Sequence, residues 1–220
     1  MATRPPSAPE PATSKMQAAY EAITRRLVLL DIAPGAPLLE HELMEQLGVG
    51  RTPLREAFKR LESDHLVVSY PRRGTFATTV DITALSEVSE IRRALEPLAA
   101  HRAAERATER DRADLTSLRD ELAAVDGSLP ARDLMAWDLA VHRAVHRAAG
   151  NDHLAVALER YGNLATRIWS VAAPRMQGVL GHIIEHRDLL GAVLDRDADL
   201  AEQRMLAHMD DFETSVRRVL

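Results

Sequence analysis

Two short amphipathic segments meet across Gly48-Val49-Gly50, and so tight a junction forces them to pack as a helix pair rather than run on as one helix. The first segment is Leu38 to Leu47. The second is read to begin with Thr52 as its N-cap and Pro53 at the first helical position, and to run to about Ser63 with Leu54, Ala57, Phe58 and Leu61 inward. Upstream, Met16 to Ile32 places Tyr20, Ile23, Leu27 and Leu30 at helical spacing and stops at Pro34-Gly35. Downstream, residues 66–70 and 75–80 are β-branched and aromatic around a turn at Pro71–Gly74. Three helices followed by a small hairpin wing are expected, a winged helix-turn-helix over residues 15–80.

The rest of the chain reads differently. No strand pattern follows Asp81, which is read as the cap of a long helix, and six helices are expected near 82–107, 111–126, 130–149, 152–173, 177–194 and 197–218. Their short connections imply antiparallel neighbours in an all-α bundle over residues 81–220, so the fold is mainly α. Residues 1–14, rich in Pro, Ala and Ser, are read as a disordered tail. No apolar run approaches the roughly 18 residues of a membrane span. The absence of cysteine excludes disulfides and thiolate metal sites and fits a cytoplasmic location.

The net charge of −5 is unevenly spread: residues 1–80 carry 10 Lys/Arg against 9 Asp/Glu, and the remainder 18 against 24. From Arg51 to Arg60 four basic residues, Arg51, Arg55, Lys59 and Arg60, stand against one acid, Glu56. A helix entering the major groove needs donors at its N-terminus, and Arg51 and Arg55 lie one turn apart there. Arginine can bond the guanine O6/N7 edge through two N–H groups. Thr52 and the first free amides suit a phosphate, and Lys59 and Arg60 lie further along, towards the DNA backbone. At the wing, Arg72 and Arg73 reach phosphate or the minor groove, and Gly74 permits the sharp turn. Solvated surface charge is the competing reading of any one of these residues; their ordered combination favours DNA.

The run Pro34-Gly35-Ala36-Pro37-Leu38, then Leu47 to Ala57, then Leu61-Glu62, Leu66-Val67-Val68 and Arg73-Gly74, resembles the GntR family of repressors. The resemblance implies that Arg51 and Arg55 contact bases and that the wing around Gly74 touches DNA. Gly50 departs from the usual Ser or Thr, Asp64-His65 from an acidic-Gly pair, and Leu30 from a helix-ending Gly.

In the bundle, polar groups fall on seam positions. Leu134, Asp138, Val141, Val145 and Ala148 follow a 4-3-4-3 spacing, as do Val179, Ile183, His186, Leu190 and Val193, and again Ala201, Met205, His208, Phe212 and Ser215. His142 lies one turn beyond Asp138. An unpaired buried carboxylate is costly, and a shared cation is one economical solution. Carboxylate and neutral imidazoles suit zinc first, and also nickel, manganese or iron. Spacing alone leaves open an ordinary Asp–His surface pair, and does not choose between His142 and His146 or between His186 and His182.

Ser89 to Glu96, Asp138-Leu139-Ala140-Val141-His142, Gly150-Asn151, Glu185-His186-Arg187 and Met205 to His208 resemble, in order, the FCD ligand-binding domain of the FadR-type branch of GntR regulators. That resemblance implies metal ligation by Asp138, His142, His186 and His208, and places Arg92 in the effector pocket, with an ion pair to Glu96 as the alternative. Arg167 is a further pocket candidate, with a solvated charge as its alternative. His101, His146, His153 and His182 are read as surface or hydrogen-bonded histidines. The expectation is a homodimeric transcriptional regulator, a repressor and not an enzyme, whose grip on a pseudo-palindromic double-stranded operator is set by a small carboxylate effector.

Overall fold

In the computed structural model, which describes residues 14–176 and 178–219, the chain divides into one compact unit running to Asp81 and another beginning at Ile82. The tail read over 1–14 lies outside the described residues except for Ser14. That residue is not tail: its hydroxyl accepts from Gln17 N and caps the first helix.

Helix α1 (Lys15–Val28) buries Tyr20, Ile23 and Leu27 as their spacing predicts. It stops four residues before the expected Ile32, because Leu30 takes up a left-handed conformation (φ 61°). Helix α2 (Glu40–Leu47) starts two residues later than expected, since Pro37–Leu38 is drawn off as a short strand, β1. Gly48 ends α2 at φ 62°, a conformation that favours glycine. Helix α3 (Arg51–Ser63) begins one residue before Thr52. Gly50 is its N-cap, no side chain caps it, and Thr52 is not the cap. Pro53 still fits, as the third helical residue, because the first-turn amides have no intrahelical acceptor to lose. The inward set Leu54, Ala57, Phe58 and Leu61 is buried.

Strands β2 (Val67–Tyr70) and β3 (Gly74–Ala77) pair antiparallel, with Tyr70 opposite Gly74 and Val67 opposite Ala77. The hairpin loop is Pro71-Arg72-Arg73. The expected second strand to Val80 ends at Ala77, and β1 adds to its free edge, giving the order β1-β3-β2.

The described residues of the second unit form helices joined by short loops, with no strand among them. A 3-10 turn (Ile82–Ala84) replaces the simple Asp81 cap and leads into α4 (Leu85–Arg106). Then follow α5 (Glu109–Leu122), α6 (Ala131–Ala148), α7 (Asp152–Ala172), α8 (Val179–Leu194) and α9 (Ala198–Arg217). Thr108 and Asp111 form a reciprocal capping box on α5, and Asn151 and Asp197 cap α7 and α9. Helix α6 packs against α4, α5, α7 and α8 and buries most of its circumference, Trp137 included. Seam residues on α6, α8 and α9 therefore converge in the interior. All are buried except Ser215, half-exposed beside the buried Val216. No described helix is long and apolar enough to cross a membrane.

Candidate functional site

At the start of α3 the Arg51 and Arg55 side chains are 69% and 55% exposed, free enough to meet a ligand. Each directs Nε to one oxygen of Glu40 on α2, at 3.3 Å and 3.2 Å. Slight burial would raise the Glu40 carboxyl, but hydrogen bonds from the two arginines outweigh it and hold the group below its ordinary value. Glu40 thus tethers both guanidinium groups through one edge and leaves the other nitrogens of each to bond elsewhere. Thr52, Lys59, Arg72, Arg73 and Gly74 are all exposed. Arg72 and Gly74 take positive φ at the wing tip (62° and 96°), and the Arg73 guanidinium lies 5.6 Å from the Tyr70 ring centroid. Arg60 is turned away, stacked 3.9 Å from the Tyr20 ring and donating to Gln17 Oε1 at 2.6 Å, so it does not join the basic face.

In the helical unit Asp138, His142, His186 and His208 are all buried, and one donor atom from each lies within 4.8 Å of the others. Asp138 Oδ1 is 3.7 Å from His142 Nε2, 3.5 Å from His186 Nε2 and 3.9 Å from His208 Nε2. These distances exceed hydrogen bonds, and both Asp138 Oδ1 and His186 Nε2 are buried without a hydrogen-bond partner. Tautomers follow from the outer contacts. His186 Nδ1 faces the Ile183 carbonyl at 3.1 Å and His142 Nδ1 faces Glu96 Oε2 at 3.1 Å. Both partners only accept, so each Nδ1 carries the proton and each Nε2 turns a lone pair inward. His142 Nε2 and His208 Nε2 then meet at 3.2 Å.

Burial pulls the His186 imidazole down to about 3 and sets His208 well below its ordinary value, so both are neutral. Burial alone would raise the Asp138 carboxyl. The imidazoles of His142, His186 and His182 prevail and hold it at about 2. An anion ringed by neutral imidazoles, two of which turn lone pairs inward, is electrostatically incomplete, and a divalent cation fits this donor set.

Behind His142 stands a residue that the sequence offered only as an ion-pair partner for Arg92. Glu96 is fully buried. It accepts from Arg92 Nε and Nη2 at 3.1 Å and 2.9 Å through Oε1, and through Oε2 it meets His142 Nδ1 and His146 Nε2, the latter at 2.7 Å. Burial opposes ionisation, but His146, His142 and Arg92 hold Glu96 well below the ordinary carboxylate range. The i, i+4 spacing of Arg92 and Glu96 was the available signal, and the ion pair is what forms. His146 is therefore a buried, hydrogen-bonded histidine of this network, whereas His182, only 11% exposed and with Nε2 unpartnered, is not a surface histidine. His101 meets Glu202 on the surface and His153 is exposed.

Arg92, Asp138, His142, Arg143, His146 and Thr166 line a cavity of about 10 Å³, room for no more than about one water. Arg143 donates to Asn163 Oδ1 at 3.0 Å. Arg167 is buried, which draws its guanidinium down to about 10, and does not line this cavity.

Comparison with known proteins gives two family matches: residues 15–77 to "Bacterial regulatory proteins, gntR family" and residues 87–211 to "FCD domain". The HTH-type transcriptional repressor RspR of Escherichia coli is 28% identical over 204 residues, covering 92% of this chain and 89% of that one. The galactonate operon transcriptional repressor of E. coli is 29% identical, covering 79% and 84%. Among solved structures, E. coli McbR/YncC superposes with a TM-score of 0.80 at 22% identity, covering 94% of this chain and 98% of that one. A regulator from Rhodococcus sp. RHA1 gives 0.70 at 22%, covering 94% and 100%.

Proposed function

The chain belongs to the GntR family of bacterial regulatory proteins and carries an FCD domain, and from that premise we propose a ligand-gated repressor of the FadR-type branch. It is a DNA-binding transcriptional regulator. In our reading, residues 15–80 of two chains bind a pseudo-palindromic operator in the cytoplasm, and residues 81–220 hold the dimer together and sense a small organic acid. Arg51 and Arg55 read bases. Thr52, Lys59, Arg72, Arg73 and the Gly74 turn position the head on phosphates or in the minor groove.

Asp138, His142, His186 and His208 would hold a divalent ion; zinc, nickel, manganese and iron all suit these donors. Such an ion, when bound, supplies a Lewis-acidic position for a carboxylate oxygen. Glu96 fixes the ring of His142 and holds Arg92 in reserve. The small cavity must open to admit an acid, and parting Arg92 from Glu96 both widens it and frees a guanidinium beside Arg143 for a charge-assisted bond. We place Arg143, rather than Arg167, beside Arg92 in that role. The acid regulates only if it prefers one arrangement of the two DNA heads. RspR and the galactonate regulator are both named repressors, which supports the sign.

The observation that carries the sensing role is Asp138 Oδ1, buried without a hydrogen-bond partner and ringed by the Nε2 atoms of His142, His186 and His208 at 3.5–3.9 Å. Elemental analysis of protein purified without chelator tests it. A stoichiometric divalent ion is expected in the wild type and its loss in His186→Ala. Equal metal in both would overturn the ligand set. A panel of metabolic carboxylic acids should then shift the thermal midpoint of the metal-loaded protein and change its operator affinity.

A further inference from the structure

His182 stands one turn before His186 on α8, at the edge of the donor set. Its Nε2 lies 3.7 Å from Asp138 Oδ1, the same distance as His142 Nε2 and between those of His186 and His208. That nitrogen is buried and has no hydrogen-bond partner. The ring is fixed on both sides: it stacks on His208, with centroids 3.9 Å apart and planes 24° from parallel, and meets Trp169 edge to face at 4.5 Å. A separation of 3.7 Å is too long for a hydrogen bond to the carboxylate. It is close to the ~3–3.5 Å expected between two donors sharing an ion at bonds of about 2.1 Å. A ring placed only to pack against Trp169 would have no need to direct an unpartnered Nε2 at the Asp138 carboxylate.

We infer that His182 is a fifth protein donor to the ion held by Asp138, His142, His186 and His208. This rests on the metal reading above and goes beyond it. Four donors satisfy tetrahedral zinc, whereas five and one open position fit a six-coordinate ion such as nickel, cobalt, iron or manganese. The open position admits one carboxylate oxygen. An acid binding through two oxygens would need one protein donor to give way, and departure of His182 would reach the start of α8.

The test uses the full-length protein loaded with Co(II) and no other ligand. His182→Phe keeps an aromatic ring against His208 and Trp169 but removes the donor nitrogen, and His182→Gln is read alongside it should the phenylalanine variant fold poorly. X-ray absorption should count imidazoles from His142, His182, His186 and His208 in the wild type and one fewer in the variant. The visible bands should strengthen as the coordination number falls, and Co(II) affinity should drop about tenfold. The same imidazole count and the same spectrum in wild type and variant, with metal still bound, would overturn the role of His182 alone. Failure of the wild type to bind Co(II), or binding by His186→Ala with undiminished affinity, would overturn the metal reading itself.

Discussion

Replacing Glu96 by Gln removes one charge from the interior and almost no volume, yet it should be among the most damaging single changes in the helical unit. The Arg92 and Glu96 side chains are 6% and 0% exposed, so water does not screen the pair. Leaving one member of such a pair unpartnered costs about 3–5 kcal/mol, a third or more of the ~5–15 kcal/mol that typically holds a domain folded. The glutamine amide also cannot accept from Arg92, His142 and His146 together. The ring of His142 then loses the partner that fixes its tautomer, and metal affinity should fall about 10–100-fold. Both tryptophans, Trp137 and Trp169, lie in the helical unit, so urea unfolding followed by tryptophan fluorescence reports that unit and not the DNA-binding one. Pairing Glu96→Gln with Arg92→Met should recover much of the stability but not the metal affinity, because the buried cation is gone while His142 stays unsupported. If Glu96→Gln unfolds within about 1 kcal/mol of wild type and holds metal equally well, the network is not what organises this site.

Glu40→Ala should lower the ratio of specific to random-duplex affinity about fivefold, since each exposed tether to Arg51 or Arg55 is worth at most ~1 kcal/mol; a ratio that stays level or rises in competition binding would contradict this. His65 sits just past α3 in the left-handed region at φ 59° with its side chain exposed, so His65→Gly should stabilise the N-terminal unit by about 0.5–1 kcal/mol, and an equal or lower melting temperature would count against it. Thr108→Ala breaks the α5 capping box and should cost about 1 kcal/mol in the same urea assay used for Glu96; no change would mean that cap contributes nothing.

What the sequence disclosed follows from how each feature is encoded. Long helices with short connections write their seams plainly, so Asp138, His186 and His208 could be placed inward from spacing alone, with His142 one turn from Asp138. Leu30 and His65, read as departures from expected glycines, prove to be positions of positive φ, which is the physical reason glycine suits them. Glu96 was harder to see. Helix α4 buries one stripe, Val88, Arg92, Glu96, Ala99 and Ala103, but the two charged residues on that stripe and Leu98 on the exposed side blur the apolar period from which the burial of Glu96 could be inferred. Glu40 reaches Arg51 and Arg55 across 11 and 15 residues of chain, a contact made by tertiary packing that no local pattern records. Strand β1 exists only because β3 offers it an edge, and two residues carry no periodicity of their own. His182 had the right spacing, but so did His186, and only their shared approach to Asp138 brings both into the site.

Competition binding bears most directly on whether two guanidinium groups at the head of α3 read DNA sequence. A duplex selected from a random pool would be bound against random competitor at near-physiological ionic strength, by wild type and by the Arg51→Ala/Arg55→Ala double variant. Wild type should prefer its selected duplex by about a thousandfold or more, and the double variant should lose roughly 1–3 kcal/mol of that preference per arginine. A wild type without preference, or a preference that survives the loss of both arginines, would contradict the assignment.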